Sequence, residues 1–292
     1  MNIFLTIFIF FIVLYFYLHI HYQNKVGNDL EIYTIDNPTK EKLEELCDLR
    51  QPVIFDYYNK EIIEKCDLSY IEDLYGAFDI KLRNINEDND ETKQMYLPFI
   101  FKEAVELFQN GNNKCYISEN NTDFLKETGL VKIYKHNDGF LRPSFVSNCL
   151  YDIMTGSVSC QTPLRYNLNY RNYLYLTSGK INLKLIPPSS SRYLNTIKDY
   201  ENFEFRSQVN PWKIQPEFKK EFDKVKVLDI QLLPGQMIYI PAYWWYSIEF
   251  VELSSICHFK YRTYMNTISI LPQLCMGLLQ KQNVKLDIAK KL

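Results

Sequence analysis

The stretch that decides the fold is Leu233–Tyr246, which reads Leu-Pro-Gly-Gln-Met-Ile-Tyr-Ile-Pro-Ala-Tyr-Trp-Trp-Tyr. Pro234-Gly235 is a hairpin-turn signal, because proline presets φ and glycine accepts a positive φ. The run after it predicts a strand that ends at Ile240-Pro241, since proline cannot donate to a sheet ladder. Trp244 and Trp245 open the next apolar run. A turn, a strand, a break and a second strand in so short a space are typical of an all-β core.

Short β-like runs continue on both sides of this stretch, separated by Ser178-Gly179 and by the Pro187-Pro188 turn. Many short strands with Gly/Pro turns indicate a sandwich or barrel. Helices and a solvated acidic loop over 84–94 complete a fold that we predict to be mainly β with helical decoration. We predict helices at 37–47, 98–110 and 265–291, and strands at 51–56, 131–135, 173–177, 181–186, 225–232, 236–240, 244–250 and 254–261.

Composition supports a folded domain and limits its partners. Of the 292 residues, 47% are hydrophobic and 15% are aromatic, which is enough for a sizeable core. The net charge of −2 gives no basic excess, so we expect no nucleic-acid partner.

Seven cysteines are spread over the chain without any C-x-x-C pair. The odd count and irregular spacing argue against a zinc knuckle or a disulfide framework. We therefore predict reduced, mostly buried thiols, which favour a domain that faces the cytosol. Asn120-Asn121-Thr122 matches an N-glycosylation sequon, which has meaning only if the domain faces a lumen.

The N-terminal segment predicts a membrane anchor. Ile3–Ile20 is an apolar run, and the first charged side chain of the sequence is Lys25. As a helix the run spans about 27 Å, close to the hydrocarbon core of about 30 Å. One alternative is a cleaved signal peptide, although no basic n-region or small-residue cleavage site is present. The other is a buried core helix. Lys25 alone leaves the orientation open.

Two motifs resemble a known family. The first is Met154–Asn167, Met-Thr-Gly-Ser-Val-Ser-Cys-Gln-Thr-Pro-Leu-Arg-Tyr-Asn, followed by Asn172, Gly179 and Ile186-Pro187-Pro188. The second is Leu233–Tyr246. Together they resemble the JmjC/cupin-like family of iron- and 2-oxoglutarate-dependent oxygenases. Members of that family show T-P-L-H-x-D, an asparagine, G-x-K and a Pro-Pro turn, and later L-x-P-G-D-x-x-x-I-P-x-x-W-W-H.

Gln51-Pro-Val-Ile54 also looks like an early R-P-V-V strand of the family, so the resemblance covers roughly residues 35–265. It implies a double-stranded β-helix, the cupin jelly roll, behind the N-terminal transmembrane helix.

The resemblance implies a metal site on two histidines and one carboxylate. The first two ligands of H-x-D share one face of a strand, and the second histidine reaches across from a facing strand. Here those positions hold Arg165, Asn167 and Tyr246. Arginine has no free lone pair to give to a metal, the asparagine side-chain oxygen is a weak metal ligand, and the tyrosine phenol stays protonated near neutrality. We therefore predict a degenerate member with no metal and no catalytic residue.

The cosubstrate position is also changed. The lysine that the family uses for 2-oxoglutarate stands two residues after the glycine, where this chain has Ile181. Lys180 is one residue away and faces inward only if the strand bulges. His258 and Asn172 are further pocket candidates, and His258 has the competing interpretation of a core histidine with satisfied hydrogen bonds.

Three functions fit these observations. The first is a membrane-anchored, catalytically inactive cupin-like module that binds a small carboxylate or an acidic peptide through Arg165, or whose Arg165 is paired with a buried acid instead. The second is a protein hydroxylase that uses Fe(II) and 2-oxoglutarate at a non-standard site. The third is a structural component of a membrane or virion.

We expect four segments: an anchor at 1–24 in a single-pass membrane protein, a linker at 25–36, the JmjC/cupin-like domain at 37–264, and a C-terminal helical segment at 265–292. The family resemblance suggests a homodimer through the C-terminal helices, which is an analogy at the level of the fold.

Overall fold

Two mostly antiparallel sheets dominate the computed structural model, which describes residues 3–85, 96–110, 115–200 and 203–291. The strands in these ranges are β1 Tyr33–Ile35, β2 Val53–Asp56, β3 Asp79–Asn84, β4 Leu97–Ile100, β5 Tyr116–Ser118, β6 Val146–Gly156, β7 Arg165–Tyr166, β8 Arg171–Ser178, β9 Ile181–Ile186, β10 Thr196–Asp199, β11 Glu204–Ser207, β12 Leu228–Leu232, β13 Gln236–Tyr239, β14 Trp245–Phe250 and β15 Ser255–Thr263.

Helices lie before, between and after the strands. Over the same ranges they are α1 Ile3–Gln23, α2 Lys40–Asp48, α3 Lys60–Lys65, α4 Leu68–Tyr75, α5 Phe101–Asn110, α6 Thr122–Glu127, α7 Val131–Asn137, α8 Lys219–Phe222, α9 Tyr264–Ser269 and α10 Leu271–Lys291, with short 3₁₀ turns at Asp138–Phe140 and Pro188–Tyr193.

The larger sheet has the order β1-β2-β13-β8-β15-β6-β5-β3-β4, and the smaller has the order β10-β11-β7-β14-β9-β12. Apart from the parallel β1–β2 pair, neighbouring strands run antiparallel. The apolar core between the sheets includes Leu174, Ile248 and Trp244, all fully buried. A second apolar cluster lies under the helices on the other face of the larger sheet. This arrangement confirms the mainly β, jelly-roll prediction.

The predicted turns form as the sequence indicates. Gly179 and Gly235 have φ of 81° and 87°, in the left-handed region that favours glycine. Gly235 lies in the turn between β12 and β13, and Gly179 lies in the turn between β8 and β9. Both turns return the chain into the neighbouring strands of the jelly roll.

One predicted strand is wrong. Residues 131–135 belong to the helix α7 and not to a strand. Val131 and Ile133 favour strands by their branching, but Leu130 and Tyr134 are four residues apart and are both buried, which is the spacing of one helix face. A short apolar run does not discriminate between the two periods, and packing against the core decided for the helix.

Smaller differences concern segment ends. Part of the predicted linker at 25–36 forms β1, which pairs with β2. The first domain helix begins at Lys40 with Thr39 as its N-cap, three residues later than predicted. Most of the acidic loop predicted at 84–94 lies outside the described residues.

The prediction of reduced thiols is wrong for two cysteines. Cys115 and Cys160 form a disulfide that joins the chain before β5 to the loop after β6, across a sequence separation of 45 residues. The spacing hid this pair because the two cysteines come together only when β5 and β6 pair. The five other cysteines are free thiols, and three of them are buried: Cys47, Cys66 and Cys257.

The N-terminal helix α1 is 21 residues long, and its most apolar window has no buried residue. It is long and apolar enough to cross a membrane, a property that it shares with signal sequences. The last turn of α1 contacts the domain, where Gln23 is buried, and Tyr243 donates a hydrogen bond to Asn24 just beyond the helix.

Candidate functional site

A cavity of about 170 Å³ lies between the two sheets. Strands β6 and β15 of the larger sheet form one wall, and strands β7, β11 and β14 of the smaller sheet form the other. The lining is rich in ionisable and polar groups: Glu119, Asn120, Asp152, Arg165, Asn167, Asn169, Glu204, Tyr246, His258, Lys260 and Arg262.

The three positions that the family uses for metal ligands meet in this cavity. Arg165 on β7 is the cross-strand partner of Tyr246 on β14. Its guanidinium carbon lies 5.6 Å from the centroid of the Tyr246 ring. Asn167 donates from Nδ2 to the Tyr246 hydroxyl at 3.1 Å. Tyr246 therefore stands on the neighbouring strand of the same sheet, and not on a facing strand as we expected.

Arg165 is held by acidic side chains. Its Nη2 donates to Oε2 of Glu119, and its Nη1 lies 3.6 Å from Oε1 of Glu204. Glu119 follows β5 and is 2% exposed, whereas Glu204 is the first residue of β11. Of the two interpretations of Arg165, the structure favours the paired guanidinium.

Two further arginines, which do not line the cavity, form ion pairs with these carboxylates. Arg83 Nη2 lies 3.2 Å from Oε1 of Glu119, and Arg206 Nε lies 3.7 Å from Oε2 of Glu204. The hydroxyl of Tyr96 also donates to Glu119, at 2.8 Å. Glu119 is thus the centre of a buried network that spans β3, β5 and β7.

The network sets the protonation state of Glu119. Burial opposes its ionisation, but the Arg165 and Arg83 guanidiniums outweigh burial and lower the pKa of Glu119 to about 2. Burial raises the pKa of Tyr246, so its phenol stays protonated near neutral pH. At neutral pH the site therefore contains an ionised Glu119 and a protonated Tyr246 phenol.

His258 behaves as a core histidine. It is 1% exposed, and its Nε2 shares a hydrogen bond with the Asn172 side-chain oxygen. Burial, with Lys260 and Arg165 nearby, holds the pKa of His258 well below its usual value. A neutral imidazole donates from Nε2 to that oxygen, which fixes the ring against the cavity wall. Asn172 itself is fully buried behind the lining.

Lys180 does not reach the cavity. It lies in the turn between β8 and β9, where its backbone N–H donates to Ser254 Oγ at 3.0 Å. Residues Ile181 and Leu185 of β9 pair with Phe250 and Tyr246, so Lys180 is at the end of β9 farthest from Tyr246. No bulge brings it inward.

The lysine of the cavity is Lys260, which sequence reasoning missed. His258, Lys260 and Arg262 alternate along β15, so their side chains share one face of the strand and line the cavity together. Arg262 donates from Nε to Asn169 Oδ1 at 2.7 Å. The i, i+2 alternation from His258 along the predicted strand is the signal that could have found both basic residues. Glu119, Asp152 and Glu204 carried no such local signal.

Comparison with known proteins identifies the fold family. A profile of the cupin-like domain matches residues 38–266, which is most of the chain. The chain belongs to the cupin-like family. The match confirms the JmjC/cupin-like resemblance that the two motifs indicated.

Curated relatives match a shorter part of the chain. HSPB1-associated protein 1 from Homo sapiens and from Bos taurus is 26% identical over 100 residues, and the homolog from Danio rerio is 27% identical over 100 residues. The shared segment is 33% of this chain and 20–22% of those proteins. The chain therefore matches about a fifth of the length of these relatives.

The residues at the family's metal position do not fit a metal ion. Arg165 presents a cation with no lone pair where the first histidine ligand stands in the family. The amide of Asn167 donates its N–H groups toward Tyr246, and the buried phenol keeps its proton. Within the described ranges, no group of three or more His, Cys, Asp or Glu side chains has the arrangement of a metal site. We derive no metal-dependent step for this cavity.

Proposed function

We propose that this protein is a membrane-anchored cupin-like binding module that does not carry out iron-dependent oxidation. The supporting observation is the ion pair between Arg165 and Glu119 at the position of the family's metal. A buried guanidinium supplies positive charge there, as a divalent cation does in active relatives, but it offers no site for oxygen or 2-oxoglutarate chelation. At this position the guanidiniums pair with the carboxylates of Glu119 and Glu204.

The charge of the cavity supports an anionic ligand. In the lining and directly behind it, five basic side chains stand against three carboxylates: Arg83, Arg165, Arg206, Lys260 and Arg262 against Glu119, Asp152 and Glu204. Two of those carboxylates are already shared among arginines. An anion therefore offsets the excess positive charge of the half-buried Lys260 and Arg262, which is costly to enclose without a partner.

Lys260 is the receptor group in this proposal. Its side-chain ammonium makes no hydrogen bond or ion pair with any residue in the described part of the chain, although the Asp152 carboxylate interacts with it electrostatically. Burial lowers the pKa of Lys260, and Arg165 contributes in the same direction. A bound carboxylate opposes both effects, because its negative charge raises the pKa of Lys260. The small cavity admits a compact carboxylate or one acidic side chain of a peptide.

The peptide alternative has support from the relatives. Their names describe association with HSPB1, which favours an interaction role for the shared segment.

The anchor is supported by the exposed, apolar α1. A homodimer is supported by Leu278 and Leu279, which are 65% and 55% exposed on α10. Light scattering of the detergent-solubilised chain tests the dimer, and Leu278→Lys with Leu279→Lys is expected to give monomers.

The first experiment tests oxidation by the purified full chain in detergent. We expect no stoichiometric iron by elemental analysis after incubation with Fe(II), and no succinate release from 2-oxoglutarate. Stoichiometric iron together with succinate would overturn the proposal in favour of the 2-oxoglutarate-dependent hydroxylase.

The second experiment tests anion binding by the same preparation. Succinate, 2-oxoglutarate and a peptide rich in Glu are titrated while the thermal midpoint is followed. We expect at least one anion to raise the midpoint, and Lys260→Met to remove that increase. Lys132→Met, an exposed lysine on α7, is the matched control and is expected to retain it. No increase with any anion contradicts the binding role.

A further inference from the structure

Asn120 begins an N-x-T sequon, Asn120-Asn121-Thr122, that the proposed function does not use. The only other N-x-T triplet is Asn37-Pro38-Thr39, which has proline at the middle position and is therefore not an acceptor. If the domain enters a compartment that carries out N-glycosylation, Asn120 is the single acceptor that the sequence offers.

The structure presents Asn120 openly. It lies in the turn between β5 and α6, with φ of 61°, and its side chain is exposed. Its backbone N–H donates to Asp152 Oδ2 at 2.9 Å, which fixes the turn without using the side-chain amide. Thr122 is half-buried and donates from its hydroxyl to the Tyr151 carbonyl at 3.1 Å. The Asn120 amide therefore points away from the core, at the rim of the cavity.

A disulfide close to this turn indicates which compartment surrounds it. The disulfide between Cys115 and Cys160 lies just upstream, on the other side of β5. Disulfides form and persist in the endoplasmic reticulum lumen and outside cells, and they are rare in the cytosol. Cys160 is fully buried and Cys115 is half-buried, so the bond is part of the folded domain and is not an incidental contact between two surface cysteines.

The helix α1 supplies the route to that compartment. An exposed apolar helix of this length is one that the membrane insertion machinery can accept, either as an anchor or as a cleaved segment. The positive-inside rule gives translocation of the domain only weak opposition, because Lys25 is the one Lys or Arg close to the helix, on its domain side. The inference rests on the proposed function in one respect, the attachment of the chain to a membrane by α1. The exposure of the domain to the lumen does not depend on whether α1 stays as an anchor.

We propose that the cupin-like domain faces the lumenal or extracellular side and that Asn120 carries an N-linked oligosaccharide. In the transfer, the Asn120 Nδ2 forms a bond to the anomeric carbon of an oligosaccharide carried on a lipid pyrophosphate. The bond between that carbon and the phosphate oxygen breaks, the lipid pyrophosphate leaves, and the amide proton passes to a base of the transferase. In the same compartment the Cys115–Cys160 bond forms as the two thiols pass two electrons and two protons to a thiol oxidase.

The test uses the full chain translated with endoplasmic reticulum microsomes. We expect one step of increased mass that an N-glycan-specific endoglycosidase removes, and protection of the domain from added protease. Asn120→Gln and Thr122→Ala are each expected to abolish the step. Thr122→Ser is the matched control, because serine keeps both the sequon and a hydroxyl for the Tyr151 carbonyl.

A chemical count of thiols gives an independent readout. The chain has seven cysteines, of which five are free in the structure. We expect alkylation under denaturing, non-reducing conditions to label five thiols, and labelling of seven after reduction. Absence of the glycan step together with seven reactive thiols would overturn the inference. Carbonate extraction separates the anchor from it, since a glycosylated but extractable chain contradicts only the anchor.

Discussion

Arg165 stands where the family's first metal ligand stands. Its guanidinium supplies the positive charge that a metal ion would supply there, and the acidic residues around it pair with that charge. Its side chain is 9% exposed, and two carboxylates from different parts of the chain, Glu119 and Glu204, pair with its guanidinium. A buried ion pair of this kind is weak evidence for stability gained over an apolar core, but removing one partner leaves an uncompensated charge. The network is therefore sensitive to single substitutions.

Glu119→Gln tests this sensitivity. The change leaves Arg165 and Arg83 buried without their shared carboxylate, so we expect a loss of about 3–5 kcal/mol in the free energy of unfolding. Urea unfolding of the detergent-solubilised chain measures it.

Asp123→Asn is the matched control for Glu119→Gln. Asp123 pairs with Lys81 at 3.0 Å, but both side chains are exposed. Exposed pairs contribute about 0–1 kcal/mol. Equal losses in the two variants would show that the Glu119 network does not carry the stability that we assign to it.

Among the elements, β5 connects the parts of the site. The disulfide lies before it, Glu119 and Asn120 follow it, and its neighbours β3 and β6 supply Arg83 and Asp152. The Cys115–Cys160 bond fixes one end, and the hydrogen bond from Asn121 N–H to Asp152 Oδ1 at 2.7 Å fixes the other.

Cys115→Ser with Cys160→Ser tests the contribution of the disulfide. Closing a loop of 45 residues restricts the unfolded chain, so we expect the double variant to lose about 2–5 kcal/mol. A reductant is expected to lower the thermal midpoint of the natural chain and to leave that of the double variant unchanged. Cys275→Ser, at an exposed free thiol, is expected to keep the response to reductant. A natural chain insensitive to reductant contradicts the prediction.

Charges placed in α1 test the anchor. Phe8→Arg with Ile12→Arg puts two guanidiniums near the middle of the apolar helix, at a cost of about 2.5–3.5 kcal/mol each. We expect the chain to move from the carbonate-resistant pellet to the supernatant. Tyr58→Arg, at a side chain that is 80% exposed on the domain, is expected to leave the fractionation unchanged. Full retention of the α1 variant in the pellet would argue against a transmembrane helix.

At the scale of the whole molecule, the buried charges predict sensitivity to acid. The folded-state pKa of Glu119 is about 2, against an ordinary value of 4.5. Its stabilisation is therefore complete above about pH 4.5 and is lost as the pH falls toward 2, by about 3 kcal/mol in total. His258 acts earlier, because the unfolded chain binds a proton below about pH 6.5 that the buried imidazole refuses.

Urea unfolding at a series of pH values checks this prediction. The free energy of unfolding is expected to decline from about pH 6.5 and more steeply below about pH 4.5. The difference between the natural chain and Glu119→Gln is expected to shrink across the lower window, because a protonated Glu119 resembles the amide. A constant difference down to pH 2 would show that Glu119 is not ionised in the folded protein.

The sequence by itself determined the family, the jelly-roll class and the three side chains at the metal position, because each depends on a motif read within a few neighbouring residues. It also placed the apolar helix, whose length and composition are local properties. It did not determine the helix at 131–137, since a short apolar run fits both periods.

Only the tertiary structure decided what those side chains contact. Glu119 is 46 residues from Arg165, and Cys115 is 45 residues from Cys160, so neither pairing leaves a local pattern in the chain. Strand pairing brings these residues together, and burial then fixes their charge and oxidation state. The physical reason is that a pairing between distant residues depends on the register of the sheets, which spacing along the chain does not record.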